Sequence, residues 1–229
     1  MLSALCGEAL VLDIDMVSMA LEPYRASSAY RADRDGVRPR PVLLVHGFAC
    51  NRAVWRPLLE RLGAAGLGPL GAVSLEPALA GMETYAAALL RELEVLHALG
   101  AGEPVAVVAH SMGGLVARAA LRRARPGLIG RIITIGAPHH GTSVACGFPW
   151  ANARQMCPGS RWLEELNAGQ EGHLPIPMTT FYSLDDNLIA PATSARLEGA
   201  RTHELRGLGH LALLRSTRVL DRVVSELLE

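Results

Sequence analysis

Short apolar runs alternate with amphipathic segments along most of the chain. The short runs are rich in β-branched residues and predict strands, over residues 41–46, 71–75, 105–108, 131–135, 178–182 and 202–205. Segments with apolar residues three and four positions apart predict helices, over residues 53–65, 84–99, 112–120, 161–166 and 211–228. This alternation predicts an α/β fold with a mostly parallel, doubly wound sheet and helices on both faces.

The length of 229 residues fits one domain with a minimal lid. Residues 1–40 are expected to form an N-terminal extension and linker, with a strand-like run before a more helical stretch in 10–22. Residues 139–160 are expected to form a loop that borders the pocket. On alternation alone, a nucleotide-binding or flavodoxin-like domain fits as well as a hydrolase, so the site residues must decide.

Charge and composition limit the classes of partner and the chemistry that are expected of this chain. The 22 basic residues balance the 22 acidic ones, so no net field attracts nucleic acid or an anionic membrane, and neither is expected as a partner. All the basic residues are arginine, which excludes chemistry that needs a lysine amine. A hydrophobic content of 50% and a mean hydropathy of +0.22 indicate a globular chain.

The sequence leaves two cellular locations of the protein open as alternatives. No apolar segment is long enough to span a membrane. The first residues lack a basic segment and carry Glu8, Asp13 and Asp15, which is unlike a signal peptide. A secreted or periplasmic location is expected if an upstream segment precedes this sequence, and a cytoplasmic one otherwise.

The four cysteines lack the C-x-x-C spacing of a zinc or redox site, so no metal and no cofactor is expected. Cys146 and Cys157 both fall in the predicted loop. A disulfide between them in an oxidising compartment and two free, buried thiols are both open.

One serine stands where a predicted strand meets a predicted helix. Ser111 follows the β-branched run 105–108 and precedes a helical segment that begins at Met112. At such a sharp turn the side chain is pushed out of the sheet, and the residues two before and two after must be small. Ala109 and Gly113 meet that demand, although the usual pattern, G-x-S-x-G, has glycine first. Ser111 is therefore the candidate nucleophile.

A serine nucleophile needs a histidine base and a carboxylate that orients it. His210 falls in a glycine-containing turn before the terminal helix, at the carboxyl edge of the predicted sheet, where ligands bind in α/β folds. Asp185 and Asp186 follow the strand at 178–182. Asp186 is preferred because it falls at the tip of the turn, whereas Asp185 fits a helix cap or an Asx turn.

Two backbone N–H groups are needed to stabilise the oxyanion of an acyl-transfer intermediate. Met112, directly after the nucleophile, is expected to supply one. Phe48, in the turn after the first predicted strand, is expected to supply the other. Further residues are expected to line the substrate pocket: His46, Gly47, His110, His139, Phe148, Trp150, Leu188 and Leu211. Of these, His46 and His110 lie beside the site in sequence and also fit a structural role.

Five segments resemble, in order, blocks of bacterial lipases and esterases of the α/β-hydrolase fold: VLLVHGF, AHSMGGLVAR, ITIGAPHHGT, YSLDDNLIAP and GLGHLALL. The A-x-S-x-G elbow is similar to that of small lipases without a large lid. The resemblance implies a triad of Ser111, Asp186 and His210. It also implies Phe48 and Met112 as oxyanion donors.

The implied function is hydrolysis of a carboxylic ester through an acyl-enzyme. Apolar residues in 139–160 favour lipid-like or other hydrophobic esters, polyesters included, and contact with a lipid interface. An acyltransferase or thioesterase with the same triad is an alternative, because only the leaving group or acceptor differs. A non-catalytic binding protein of this fold is the rival from another class. The oligomeric state stays open.

Overall fold

The computed structural model describes residues 28–31, 39–168 and 173–229. Within those ranges seven strands form one sheet. The strands, β1 to β7, are Ser28–Arg31, Val42–Val45, Leu70–Val73, Val105–His110, Ile129–Ile135, Met178–Ser183 and Arg201–Leu205. The α-helices of the same ranges, α1 to α6, are Arg56–Ala64, Met82–Leu99, Met112–Leu121, Ala151–Met156, Arg161–Ala168 and Thr217–Leu228.

The strand order across the sheet is β1-β3-β2-β4-β5-β6-β7. Strands β2 to β7 run parallel, and β1 pairs with β3 in the antiparallel sense at one edge. The predicted doubly wound, mostly parallel sheet is confirmed. Because the chain leaves β2 toward β3 and then returns to β4 on its other side, the carboxyl ends of β2 and β4 border the crevice where ligands bind in such sheets.

Helices cover both faces of the sheet, as the alternation predicts. Leu43 and Val45 point into a core that includes residues of α2 and α3. Val42 and Leu44 point to the opposite face, where the core includes residues of α1 and α6. All four side chains of β2 are buried, which explains why this strand is continuously apolar rather than alternating with polar residues.

Two predicted helices begin later than their patterns indicate. In the segment 53–65, Arg52–Trp55 forms a 3₁₀ helix and α1 starts after it, with Pro57 in its first turn. Proline suits that place because its nitrogen has no hydrogen to donate. In the segment 211–228, α6 starts at Thr217 because the side chain of Ser216 accepts an N–H of the first turn and caps the helix.

Three further predictions concern the loop at 139–160, the extension at 1–40 and the segment 10–22. The loop predicted at 139–160 contains helix α4 and a 3₁₀ helix at Ser143–Gly147. The extension predicted at 1–40 contributes β1 to the sheet. The prediction for 10–22 lies outside the described residues. Among the helices that the structure describes, none is long and apolar enough to cross a membrane.

Candidate active site

Ser111 occupies a strained turn between β4 and α3. Its φ of +54° and ψ of −127° lie in a region that L-residues rarely adopt. A Cβ added to Gly113 would lie 2.6 Å from the carbonyl oxygens of both Val45 and His46, so a side chain at that position would collide with β2. Ala109 is fully buried. The tight packing on either side explains the need for small residues around Ser111.

Asp186 and His210 form a buried pair at the carboxyl end of β6. The His210 Nδ1 lies 2.8 Å from Asp186 Oδ2, and the two side chains are 4% and 2% exposed. The other carboxylate oxygen accepts the N–H groups of Leu188 and Ile189, each at 2.9 Å. The N–H of His210 donates to Asn187 Oδ1 at 3.0 Å. One turn therefore orients both the carboxylate and the histidine.

Asp185, the alternative carboxylate, faces elsewhere. It is exposed, and its Oδ2 accepts the N–H of Gly207 at 2.6 Å. Its own N–H donates to the hydroxyl of Ser183 at 3.2 Å, as in a local turn. Of the two carboxylates, Asp186 is the one that contacts His210.

The turn after β2 packs directly against Ser111. A Cβ added to Gly47 would lie 2.8 Å from the Cβ of Ser111. The His46 Nδ1–H donates to the Gly47 carbonyl at 2.7 Å, and its Nε2 accepts the N–H of Leu75 at 2.8 Å. Burial lowers the pKa of His46 to about 4, so the ring is neutral at neutral pH. The Gly47 C=O and the Phe48 N–H belong to the same trans peptide group and point in opposite directions. Because the carbonyl points toward His46, the Phe48 N–H points away from His46.

Met112, the second expected oxyanion donor, is the first residue of α3. The first N–H groups of a helix have no partner within it and favour negative charge nearby. The side chain of Met112 is buried in the core between the sheet and the helices. The backbone N–H of Met112 therefore lies at the start of α3, directly after Ser111 in the chain.

His110 supports His210 from the strand side. It is buried, and its Nε2–H donates to the carbonyl of His210 at 3.3 Å. The two ring centroids are 4.5 Å apart. Burial first, and the neighbouring His210 second, hold the pKa of His110 well below its usual value of 6.5. A neutral ring at this place contacts His210 without adding charge.

A cavity of about 550 Å³ opens beside Ser111. It is lined mostly by apolar side chains, and of the described residues these border it: Phe48, Ala49, Cys50, His110, Ser111, Pro138, Thr142, Val144, Ala145, Phe148, Ala153, Met156, Leu188, Ile189, His210 and Leu211. Four of the predicted pocket residues, His110, Phe148, Leu188 and Leu211, are among them. No aspartate, glutamate or arginine is in this set.

The other four predicted pocket residues lie behind the lining. His46 and Gly47 form the turn that carries Phe48. Trp150 stacks on Phe148, with ring centroids 5.0 Å apart, and on Phe48, at 5.6 Å. It therefore supports the aromatic side of the pocket.

His139, the fourth, is fully buried on the far side of its turn. Arg118 donates to His139 Nδ1 at 3.4 Å, and the Nε2–H of His139 donates to Thr134 Oγ1 at 3.0 Å. Arg118 also donates to Asn167 Oδ1 at 2.9 Å. Burial lowers the pKa of Arg118 to about 10, which leaves it protonated at neutral pH. This network joins α3 to α5, so His139 has a structural role.

The segment 139–160, which is expected to border the pocket, lines the cavity with Phe148 and five further residues: Thr142, Val144, Ala145, Ala153 and Met156. A disulfide between Cys146 and Cys157 closes this segment. Three side chains at the mouth are well exposed for their type: Val144 at 40%, Phe148 at 42% and Leu188 at 40%. Ala145 and Ala153 also line the cavity, and such small residues carry no signal of their own in the sequence.

Cys50 also lines the pocket, as a free thiol. Burial raises its pKa to about 11, so it stays protonated at neutral pH and is a poor nucleophile. Among the residues that the structure describes, no group of three His, Cys, Asp or Glu side chains could hold a metal ion. Ser111 is therefore the nucleophile candidate that this pocket presents.

Comparisons with known proteins concern the fold of the chain. The sequence model of one family, the PGAP1-like alpha/beta domain, matches residues 84–150. No curated protein matches the sequence. Solved structures match over most of the chain.

The mature lipase BlEst2 of Bacillus licheniformis has a TM-score of 0.74 at 17% identity, over 87% of this chain and 96% of its own. Lipase B of Aspergillus fumigatus has a TM-score of 0.75 at 21% identity, over 90% of this chain and 57% of its own. A lipase-esterase related protein of Clostridium acetobutylicum has a TM-score of 0.62 at 12% identity, over 88% and 98%. The chain therefore has the α/β-hydrolase fold, as its sequence blocks predict, and it resembles lipases and esterases that share this fold.

Proposed function

We propose that the chain is a serine carboxylic-ester hydrolase, a lipase or esterase, that acts through an acyl-enzyme. The observation that carries the proposal is the convergence of Ser111 and His210 on one apolar cavity, with His210 held by Asp186 at 2.8 Å. All three residues follow the carboxyl ends of parallel strands or the turns beyond them. The same fold hosts many functions, so the site rather than the fold supports this assignment.

The proposed reaction has two steps. The Ser111 hydroxyl oxygen attacks the ester carbonyl while His210 Nε2 takes its proton, because Nδ1 is occupied by Asp186. The oxyanion is stabilised by the N–H groups of Phe48 and Met112. The carbon–oxygen bond to the alcohol then breaks, and the alcohol leaves with the proton from His210. Water then attacks the acyl carbon while His210 takes its proton. The bond between that carbon and Ser111 Oγ breaks, His210 returns the proton to Ser111 Oγ, and the acid is freed.

The pocket favours an uncharged, apolar acyl group. Its lining includes aromatic and aliphatic side chains on several sides and no carboxylate or guanidinium, so a charged acyl group would lose hydration without gaining a partner. Each buried methylene contributes about 0.8 kcal/mol. We therefore expect kcat/KM to rise by up to about fourfold per methylene until the cavity is filled.

A series of p-nitrophenyl esters from acetate to palmitate tests the proposal, combined with labelling by a fluorophosphonate probe. We expect wild-type protein to hydrolyse the series and to be labelled at Ser111. The Ser111→Ala variant should lose activity and labelling while it keeps the wild-type melting temperature. Ser225→Ala, which removes an exposed hydroxyl from α6, is the matched control and should behave as wild type.

Hydrolysis that persists in Ser111→Ala would contradict the proposed nucleophile. A folded wild-type protein that hydrolyses no ester and takes no label would contradict the enzymatic function and favour a binding protein. Thioesters and amides of the preferred acyl group, and an added alcohol acceptor, separate an esterase from a thioesterase or acyltransferase. We expect the oxygen ester to be hydrolysed faster than the thioester or the amide, and water to be preferred over the alcohol as acceptor.

A further inference from the structure

Thr142 lies where the pocket wall meets the turn that carries Asp186. It is 5% exposed and lines the cavity. Its hydroxyl donates to the carbonyl of Leu188 at 2.7 Å, and the same oxygen accepts the N–H of Ala190 at 3.0 Å. One side chain thus pairs two backbone groups of a turn 46 positions away.

Those two groups belong to the peptide segment that orients Asp186. The N–H groups of Leu188 and Ile189 donate to Asp186 Oδ1. The Thr142 hydroxyl bonds to the carbonyl of Leu188 and to the N–H of Ala190. The segment is therefore held on one side by the carboxylate and on the other by the Thr142 hydroxyl. A shift of this segment would change the direction in which the carboxylate meets His210.

The backbone of Thr142 ties the same place to the pocket wall. Its N–H donates to the carbonyl of Met156 at 2.9 Å, and its own carbonyl accepts the N–H of Ala145 at 3.1 Å. Met156 and Ala145 both line the cavity. The next residue, Ser143, donates its N–H to the Ala190 carbonyl at 2.9 Å. Backbone hydrogen bonds therefore fix the position of Thr142 at the pocket wall. Its hydroxyl is the part of the residue that contacts the turn from 186 to 190.

We infer that Thr142 is a positioning residue for the reaction proposed above: its hydroxyl holds the turn from 186 to 190 in the geometry that aims Asp186 at His210. This inference rests on the proposed function, because it concerns the same site. Thr142→Val keeps the shape of the side chain and removes the hydroxyl. The Leu188 carbonyl and the Ala190 N–H then lose their partner in a part-buried place, and the turn relaxes to find another.

Relaxation of the turn should affect turnover more than binding. A displacement of about 1 Å in a catalytic arrangement costs on the order of a hundredfold in rate. Because the turn is still held by Ser143, we expect the kcat of Thr142→Val to fall about tenfold or more, with KM within about twofold of wild type. Thr142→Ser keeps the hydroxyl and loses only a methyl group, so it should retain kcat within about threefold.

The experiment measures kcat and KM on p-nitrophenyl butyrate for wild type, Thr142→Val and Thr142→Ser, with rates divided by the active sites titrated with a fluorophosphonate. Thr180→Val is the matched control. Thr180 is a fully buried threonine whose hydroxyl bonds to Thr202 on β7, and its variant should keep the wild-type kcat. Thr142→Ala gives the same comparison if the valine variant does not fold.

Three outcomes would overturn the inference. The first is a Thr142→Val variant with wild-type kcat per titrated site, even if fewer sites are active, since that would show a role in stability alone. The second is equal impairment of Thr142→Ser, which would assign the effect to the methyl group. The third is a wild-type protein that neither hydrolyses esters nor takes the probe, which would overturn the proposed function and this inference with it.

Discussion

A single methyl group at Gly47 tests how tightly the turn after β2 is packed against the candidate nucleophile. In Gly47→Ala the new carbon would lie 2.8 Å from Ser111 Cβ and 3.1 Å from His110 Nδ1. Carbon atoms in contact prefer about 3.5–4.0 Å, so the two Cβ atoms must separate by about 0.7 Å or more. The backbone has to supply this movement, because neither carbon is at the end of a flexible side chain.

In the mechanism proposed above, the movement should displace the Phe48 N–H from the place where it would stabilise the oxyanion. β2 and β4 are paired up to Val45 and Ala109, so the strain falls on the turns just beyond them. Overpacking of this kind costs about 1–3 kcal/mol of stability. Loss of one oxyanion donor lowers turnover by about a hundredfold or more. We therefore expect kcat to fall about a hundredfold in a variant that still folds.

The assay compares kcat per titrated active site on p-nitrophenyl butyrate with the melting temperature of each protein. Gly147→Ala is the control, because no atom beyond the adjacent backbone and chain neighbours lies within 4 Å of the carbon it adds. It should keep wild-type turnover. A folded Gly47→Ala variant whose kcat lies within about threefold of wild type would refute the argument that this turn cannot yield without loss of the oxyanion donor.

Two further predictions concern stability. Replacing Cys146 and Cys157 together by alanine should lower the free energy of unfolding by about 3 kcal/mol, from the sequence separation of 11 residues; equal urea midpoints for variant and oxidised wild type would contradict this. His46 has its pKa lowered from 6.5 to about 4, so the unfolded chain binds a proton that the folded protein excludes, and stability should fall by up to about 3 kcal/mol as the pH drops from 6.5 to 4. His46→Asn, which keeps a donor for the Gly47 carbonyl, should lose less of its free energy of unfolding over that pH range. Urea unfolding at several pH values measures this, and an equal pH dependence in both proteins would show that His46 does not contribute.

The local pattern of the chain predicted most of the sheet. The run predicted at 105–108 becomes β4, Val105–His110, and the sharp turn that follows it was evident from Ala109, Ser111 and Gly113. Boundaries were less well predicted where a cap or a proline decides them, as at Ser216 before α6. The preference for Asp186 over Asp185 depended on its place in the turn, and Asp186 is the one that contacts His210.

The pocket was predicted less completely, for a physical reason. A residue lines a cavity because of its distance from other segments, and apolar character alone does not report that distance. Phe148 and Leu188 are large and were predicted, whereas Ala145 and Ala153 are small and were not. His139 was expected in the pocket as the first residue of the segment 139–160, but it bonds to Arg118 and Thr134 and is not among the residues that line the cavity.

Strands, helices and the turn at Ser111 depend on side chains within a few positions of each other, so the amino-acid order alone was sufficient to predict them. Contacts between distant segments required the folded chain. His46 reaches the N–H of Leu75, 29 positions away, and Thr142 reaches the carbonyl of Leu188, 46 positions away. Such hydrogen bonds form only after the sheet has brought the strand ends together, and the pattern of either segment alone gives no sign of its partner. The candidate nucleophile was therefore predictable from local sequence, while the residues that hold its surroundings in place became evident only in three dimensions.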